Sequence, residues 1–309
     1  MVEAVIEVTE QTTGKDYAMY NGDCCELIQQ LPDESVGFSV FSPPFASLYT
    51  YSDIDRDMGN CGSDEEFFEH FGFLIHELYR VLKPGRLISV HCMNLPSTVQ
   101  HNGYIGIRDF RGDVIRAFCA EKFIYHSEVC IWKDPVLAMQ RTKALGLLHK
   151  QLVKDSCMSR QGIPDYVCTF RKPGKNPDPV AGPLTYFSGD ESTFESTGNL
   201  SIDVWQRYAS PVWDDIRQSY TLNVTEARSE KDERHVCPLQ LDVIERCLQL
   251  WSKEGDTVLS PFAGIGSEGV MSVRLNRKFI GFELKPEYFT VACKNLRLEE
   301  AKKSVPTLF

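Results

Sequence analysis

A glycine-rich turn in the last fifth of the chain has the residue types of a ligand-binding loop. Residues 257–260 have the apolar character of a strand, and Gly264 and Gly266 follow before a stretch with helical periodicity. Glycines let a ligand approach the backbone, and a helix N-terminus presents unpaired N–H groups. Glu283, at the end of the next predicted strand, stands at an offset where carboxylates commonly hold ribose hydroxyls. The missing third glycine favours a small adenosine-containing ligand over a dinucleotide, and a plain tight turn is the alternative.

A second candidate is the segment Ser42-Pro43-Pro44-Phe45, which follows the nearly continuous apolar residues 36–41. Such a run is typical of a strand covered on both faces in a parallel sheet. Two prolines fix the backbone and remove two N–H groups, so the Ser42 hydroxyl and the Pro43 carbonyl are free to point outward as acceptors. This arrangement suits an amino group on a ring stacked against Phe45. A rigid strand exit without chemistry is the alternative for an isolated Pro-Pro pair.

Taken together, the Ser-Pro-Pro-Phe and Phe-Ala-Gly-Ile-Gly segments resemble the motifs of DNA amino-methyltransferases, which modify adenine N6 or cytosine N4. Residues 21–33 resemble the N-terminal element of that family, and residues 234–246 resemble the segment ahead of its glycine-rich turn. The resemblance covers about the first 135 residues and about the last 75. Because residues 42–45 precede residues 262–266, the order is that of the permuted β group.

The resemblance implies S-adenosylmethionine as the methyl donor and direct transfer to an exocyclic amino nitrogen. Ser42 and the Pro43 carbonyl would accept hydrogen bonds from that amino group and localise its lone pair for in-line attack. The target base must first leave the duplex and would stack on Phe45. The catalytic residues implied are Ser42, Pro43, Pro44 and Phe45. The cofactor-binding residues implied are Asp23, His235, Pro261, Phe262, Gly264, Gly266 and Glu283, with Glu283 at the ribose.

Two positions set this chain apart within the resemblance. Ser260 stands where family members commonly have Asp, which removes a carboxylate from the glycine-rich segment. Ser42 is commoner among cytosine-N4 enzymes, so cytosine N4 is favoured over adenine N6. Methylation of an RNA base or of a protein glutamine is a second enzymatic hypothesis. The non-enzymatic hypothesis is a catalytically idle DNA-binding protein that keeps the fold. The missing carboxylate at Ser260 is its best support.

The middle of the chain is basic, although the whole chain carries a net charge of -10. Residues 139–175 contain eight lysines and arginines against two aspartates, and phosphate binding needs such residues. These residues are able to bind phosphates, with a solvated charged face as the alternative. The resemblance implies double-stranded DNA as the partner. The candidate DNA-binding residues are Tyr49, Tyr51, Arg56, Arg141, Lys143, Lys150, Lys154 and Arg160.

The periodicity predicts an α/β fold. The resemblance implies a Rossmann-like methyltransferase sheet of seven strands, mostly parallel with one antiparallel strand, plus an inserted target-recognition region. We expect a catalytic half over 1–135, the insert over 136–230, and a cofactor-binding half over 231–309, with an irregular segment over 175–205. The predicted strands are 17–20, 36–41, 86–92, 123–132, 165–172, 256–259 and 278–282. The predicted helices are 24–31, 63–81, 109–120, 239–251, 267–275 and 286–303.

The composition fits a globular protein. Hydrophobic residues make up 42% of the 309 residues and the mean hydropathy is -0.25, so no membrane association is expected. The 11 cysteines include no Cys-x-x-Cys pair, which predicts reduced thiols, no metal site and a cytoplasmic location. His91 and His101 are interpreted as strand and loop residues without chemistry. A homodimer and a partner restriction enzyme are left open.

Overall fold

The computed structural model describes residues 8–45, 57–142, 145–180, 207–223 and 238–304. Its strands are β1 Glu10–Thr13, β2 Tyr17–Asn21, β3 Val36–Phe41, β4 Leu82–Met93, β5 Leu95–Ser97, β6 Gly106–Arg108, β7 Ile124–Ile131, β8 Asp165–Arg171, β9 Val212–Trp213, β10 Thr257–Ser260 and β11 Lys278–Glu283. Its helices are α1 Cys24–Leu27, α2 Asp64–Val81, α3 Val99–Asn102, α4 Phe110–Ala120, α5 Pro135–Thr142, α6 His149–Lys154, α7 Leu241–Trp251, α8 Ser267–Arg274 and α9 Pro286–Ser304. Among these, no helix is long and apolar enough to cross a membrane.

The main sheet has the strand order β1-β2-β11-β10-β3-β4-β8-β7-β9. From β2 to β7 it contains the seven predicted strands, with β8 as the one reversed strand among them. The prediction of a mostly parallel, Rossmann-like sheet is confirmed, but the strand count rises from seven to nine. Strand β1 adds antiparallel to β2, and the two-residue β9 adds parallel to β7. Both are short edge strands held by backbone pairing, which leaves little trace in the sequence pattern.

The centre of the sheet is formed by β3, whose residues are buried without exception. It lies between β10 and β4, and both neighbours run parallel to it. This double coverage explains the unbroken apolar run of its sequence. Helices α2 and α4 cover one face of the sheet, and α7, α8 and α9 cover the other. Helix α2 begins where the Ser63 hydroxyl accepts a hydrogen bond from the Glu66 N–H at 3.2 Å, as the sequence predicts.

The parallel strands β2, β11, β10, β3 and β4 end at the same edge of the sheet. The segments that leave this edge are residues 22–23 after β2, 42–45 after β3 and 261–266 after β10. Ligands of open α/β sheets bind at the carboxyl ends of the strands, where the strand order reverses. The topology therefore brings the two motifs of the sequence to one place.

The connection from β7 to β8, residues 132–164, leaves the sheet at the same edge. It carries α5 and α6 and contains five of the eight basic residues of 139–175, while the other three lie at or after the far end of β8. Strands β8 and β9 lie within residues 136–230 in sequence but pair in the main sheet. Most of the predicted irregular segment 175–205 lies outside the described residues.

Candidate active site

A pocket opens at the carboxyl edge of the strands, and nine of the predicted site residues line it. They are Asp23, Ser42, Pro43, Pro44, Phe45, Pro261, Phe262, Gly264 and Glu283. Gly266 stands beside the lining residues Ile265 and Ser267, at the start of α8. Predicted His235 lies outside the described residues. The structure thus places the two motifs, more than 200 residues apart in sequence, on the walls of one pocket.

One wall is formed by the glycine-rich turn and Glu283. The Glu283 carboxylate accepts hydrogen bonds from the Gly264 N–H at 2.8 Å and from the Lys285 N–H at 2.9 Å. Burial nevertheless raises the pKa of Glu283 to about 7. Among the described residues a single N–H donates to each carboxylate oxygen, so each oxygen keeps a second acceptor site. The side chain is therefore fixed in place and able to accept two hydroxyl donors of a ligand.

The glycines of this turn are required by the backbone. Gly264 has a φ of +52° and Gly266 a φ of +88°, both in the left-handed region that side chains other than glycine rarely adopt. A Cβ on Gly266 would also lie 3.2 Å from the Cβ of Ala292 in α9. The turn brings the chain from β10 directly into α8, whose N-terminus faces the pocket through Ser267 and Glu268.

Glu268 is a pocket residue that the sequence analysis missed. Its side chain lines the pocket at the first turn of α8, yet the residue is only 4% exposed. Burial, reinforced by the nearby Glu283 charge, raises the pKa of Glu268 to about 8. Ser260, which directly precedes the lining residue Pro261, has a buried hydroxyl with no hydrogen-bond partner among the described residues. This side of the pocket therefore carries two carboxyl groups, Glu283 and Glu268, with raised pKa values. A cationic ligand would stabilise their ionised forms, so the pocket favours such a ligand.

The remaining predicted residues on this side support the wall. The Asp23 carboxylate caps α1 by accepting a hydrogen bond from the Cys25 N–H at 2.9 Å. Asn21 at the end of β2 donates to the backbone carbonyls of Glu283 and Leu284, at 2.8 and 3.0 Å. The Phe262 ring packs against Phe41, with 5.8 Å between ring centroids. These contacts tie the ends of β2, β3, β10 and β11 together.

The opposite wall carries the Ser42 segment. The Ser42 Oγ lies 3.1 Å from Nδ1 of His91 and 3.3 Å from the His91 carbonyl oxygen. The Phe45 ring lies beside the His91 ring at 6.5 Å and meets Phe110 edge to face at 6.0 Å. Phe45 is half-buried and also lines the pocket, so it offers an aromatic surface to a ring.

His91 is a strand residue, as expected, but it is not without polar contacts. It lies near the end of β4, and its Nε2 lies 3.2 Å from Oδ2 of Asp165. The other Asp165 oxygen lies 2.6 Å from Nζ of Lys133. No sequence pattern indicates this group, because its members come from four segments that only the sheet brings together.

The predicted DNA-binding residues are placed only in part. Lys150 and Lys154 are exposed on α6. Arg160 is half-buried, and its guanidinium donates to the Gln161 carbonyl at 3.0 Å. Arg141 belongs to α5, but its side chain is outside the description. The other four predictions, Tyr49, Tyr51, Arg56 and Lys143, lie outside the described residues.

The fold and the pocket define the class of the protein: an α/β enzyme whose ligand site lies at the sheet's switch point. A family model described as DNA methylase, for N6 and N4 methyltransferases, matches residues 36–294. The match spans most of the chain, and the protein belongs to this family.

Individual relatives agree with this assignment. The chain is 26% identical over 277 residues to the type II methyltransferase M.BamHI of Bacillus amyloliquefaciens, covering 86% of this chain and 54% of that protein. It therefore spans about half the length of that relative. It is 24% identical over 298 residues to M.Cfr9I of Citrobacter freundii, covering 91% and 88% of the two chains.

Solved structures share the fold. The PvuII DNA methyltransferase, described as cytosine-N4-specific, superposes with a TM-score of 0.63 at 18% identity, covering 94% of this chain and 90% of that one. A DNA modification methylase of Thermus thermophilus, solved in complex with S-adenosyl-L-methionine, has a TM-score of 0.62 at 21% identity, covering 91% and 95%.

Proposed function

We propose that this DNA methylase transfers the methyl group of S-adenosylmethionine to the N4 amino group of a cytosine in DNA. The observation that carries the proposal is the single pocket with two different walls. One wall, which we call the cofactor wall, presents Glu283 and Gly264, whose backbone is in the left-handed region. The other, which we call the target wall, presents the Ser42 hydroxyl and the Phe45 ring. A donor molecule and an acceptor base are thereby given separate places in one cleft.

The residues of the first wall fit S-adenosylmethionine. Its ribose has two neighbouring hydroxyls, which match the two free acceptor sites of the Glu283 carboxylate. Its sulfonium is positively charged, which matches the buried carboxyl of Glu268. The Gly264 turn leaves open space where a side chain would stand. When bound, the cofactor supplies an electrophilic methyl group.

The second wall fits an exocyclic amino group. The nitrogen of such a group is a poor nucleophile, because its lone pair is conjugated with the ring. Acceptance of its two hydrogens by the Ser42 hydroxyl and the Pro43 carbonyl localises the lone pair on nitrogen. The amino nitrogen then attacks the methyl group directly, without a covalent enzyme intermediate. The half-buried Phe45 supplies the stacking surface that a base needs after it leaves the duplex.

Cytosine is proposed over adenine because of Ser42. The hydroxyl at this position is the variant that the resemblance associates with cytosine-N4 enzymes. The PvuII methyltransferase, which shares the fold over 94% of this chain, is described as cytosine-N4-specific. Adenine N6 needs the same two acceptors, so it is the second candidate and a defined outcome of the experiment below.

DNA is the substrate class of the family, and we propose that the connection from β7 to β8 holds it. This connection leaves the sheet at the edge where the pocket opens, and it exposes Lys150 and Lys154 on α6. Exposed lysines on a connection at this edge of the sheet suit phosphate contacts. We also propose that target recognition lies in residues 136–230 outside strands β8 and β9.

The proposal is tested by mass spectrometry of nucleosides from plasmid DNA of cells that express the protein. We expect N4-methylcytosine with the unaltered chain and with Ser35→Ala, which changes a half-buried serine outside the pocket. The signal should be absent with Ser42→Ala. N6-methyladenine in its place would assign the second candidate, and no methylated base would contradict the proposed function.

A further inference from the structure

A chain of polar contacts runs from the pocket into the sheet. Ser42 Oγ lies 3.1 Å from His91 Nδ1, and His91 Nε2 lies 3.2 Å from Asp165 Oδ2. Lys133 Nζ lies 2.6 Å from the second Asp165 oxygen. His91 is 7% exposed and Asp165 is 2% exposed, so the inner part of the chain is shielded from solvent. Only the Ser42 end reaches the pocket wall.

The Asp165 and Lys133 charges lie on the Nε2 side of the His91 imidazole, away from Ser42. Although burial alone would raise it, the pKa of Asp165 lies below its usual value because His91 and Lys133 favour the carboxylate. The Asp165 carboxylate lies within ion-pair distance of Nε2 but outside hydrogen-bond geometry, and its negative charge favours a proton on that nitrogen. Nδ1 is then the unprotonated nitrogen, and it faces the Ser42 hydroxyl. Asp165 from β8 and Lys133 from the end of β7 are the charged groups seen to contact this chain in the described structure.

We propose that His91 is the acceptor of the proton released by the amino group during methyl transfer, with Ser42 as the relay. This inference rests on the proposed function and holds for either target base. It makes Ser42 the group that touches the substrate, while His91 and Asp165 act behind it. The arrangement uses the same logic as a serine hydroxyl backed by histidine and aspartate, here directed at an amino proton.

The step balances in atoms and charge. The N–CH3 bond forms with the nitrogen lone pair, and the S–CH3 bond breaks with its electron pair left on a neutral thioether. One amino proton passes to Ser42 Oγ while the hydroxyl proton passes to His91 Nδ1. The imidazolium lies against the Asp165 carboxylate until its proton returns to solvent. Loss of this proton removes the positive charge from the methylated amino nitrogen.

The His91 carbonyl oxygen offers a competing explanation for the position of Ser42. It lies 3.3 Å from Ser42 Oγ and would orient the hydroxyl equally well. A carbonyl takes no proton, however, so the two explanations differ in how the reaction depends on pH. If His91 is the acceptor, the reaction must slow in acid, where Nδ1 is already protonated.

The test measures single-turnover methyl transfer to DNA against pH, with the purified chain in excess over DNA and S-adenosylmethionine saturating at every pH. His91→Asn keeps an amide acceptor for the Ser42 hydroxyl but is unable to take up a proton. We expect its rate to fall by about 100-fold, the lower end of what a general base contributes, and its rate to become flat where the unaltered chain slows in acid. Binding of S-adenosylmethionine, measured by calorimetry, should stay within about twofold, because His91 lies outside the cofactor wall.

His126→Asn is the matched control, since His126 is an exposed histidine of β7 outside the pocket. It should keep the transfer rate of the unaltered chain and the acid limb of its pH profile, which is the fall in rate at low pH. Asp165→Asn is the second variant, needed if His91→Asn does not fold. Loss of the Asp165 charge should slow transfer and move the acid limb to lower pH.

An unchanged rate, or an unchanged acid limb, in His91→Asn would overturn the assignment. If His91→Asn does not fold, an acid limb that stays in place in Asp165→Asn would overturn it as well. Failure of the proposed function is a separate result, because the unaltered chain would then leave no methylated base in the nucleoside analysis.

Discussion

The two walls of the pocket are built in different ways. The cofactor wall comes from one continuous stretch, β10, the glycine turn, α8 and β11, in which Gly264 and Glu283 are 19 residues apart and joined by a hydrogen bond. On the target wall Ser42 reaches the pocket, and His91, Asp165 and Lys133 from three other segments lie behind it. In the proposed function, a local supersecondary unit holds the donor, whereas the chemistry at the acceptor depends on segments that only the assembled sheet brings together. The variants below act on one wall or the other, and their effects should separate accordingly.

The largest effect is expected for Ser42→Ala on the target wall. Transfer should fall by about 10³-fold, since the loss of an acceptor used in the transition state costs roughly that much. The affinity for S-adenosylmethionine should stay the same, because Ser42 makes no contact with the Glu283 wall in the described structure. Single-turnover rates and calorimetry on the same preparation measure both quantities. A joint loss of rate and cofactor affinity would show that the two walls are not separable.

The next effect is expected for Glu283→Ala on the cofactor wall. Two charge-assisted hydrogen bonds to the ribose would be lost, and the turn would lose its contact with the Gly264 N–H. We expect the dissociation constant of S-adenosylmethionine to rise by about 30-fold or more. Transfer at saturating cofactor should change far less. An unaltered dissociation constant would place the ribose elsewhere.

The cofactor wall should also give the pocket a pH dependence of its own. Burial raises the pKa of Glu283 to about 7 and that of Glu268 to about 8, so both carboxyls ionise within the neutral range. A cationic ligand favours their charged forms, and affinity should therefore rise with pH, by about tenfold between pH 6 and 8.5.

Calorimetry across this range tests the prediction, with S-adenosylhomocysteine as the control ligand because it lacks the sulfonium charge. Its affinity should depend less steeply on pH. Glu268→Gln should flatten the upper part of the curve for S-adenosylmethionine. If the affinities of the two ligands changed equally with pH, Glu268 and Glu283 would not respond to the charge of the ligand.

The smallest effect is expected on DNA binding, outside both walls. Replacing Lys150 and Lys154 together by Ala should weaken DNA affinity about fivefold at moderate salt and reduce the salt dependence by about two counterions. Lys278→Ala is the control, because this exposed lysine begins β11 at the opposite edge of the sheet. Binding isotherms at several salt concentrations provide the measurement. An identical salt slope would move the phosphate contacts to another surface.

The contrast between the walls also explains what could be read from the sequence. Most of the sheet and its helices could be predicted, because β3, α2 and the β10–β11 unit carry their periodicity and capping signals locally. Strands β1 and β9 could not, because backbone pairing at a sheet edge needs no particular residues. The short helices α5 and α6 escaped for a similar reason, since neither carries several turns of apolar periodicity.

The residues of the candidate site likewise fall into two groups: those in local sequence motifs and those that only long-range contacts bring together. Gly264 and Glu283 could be predicted as one motif, and the Ser42 segment as another, because the residues within each motif lie close together in sequence. The contact of His91 with Ser42 spans 49 residues, and its contact with Asp165 joins neighbouring strands of opposite direction. No spacing rule reaches that far, so His91 reads in sequence as an ordinary strand residue. Glu268 escaped because one acidic residue in the first turn of a helix is common.

The most direct test of the account is the identity of the base methylated by the purified chain. DNA incubated with the protein and S-adenosylmethionine carrying a labelled methyl group is digested to nucleosides and analysed by mass spectrometry. The account predicts the label in N4-methylcytosine, and its absence with Ser42→Ala. Label in N6-methyladenine alone would contradict the choice of base, and no label in DNA would contradict the proposed activity itself.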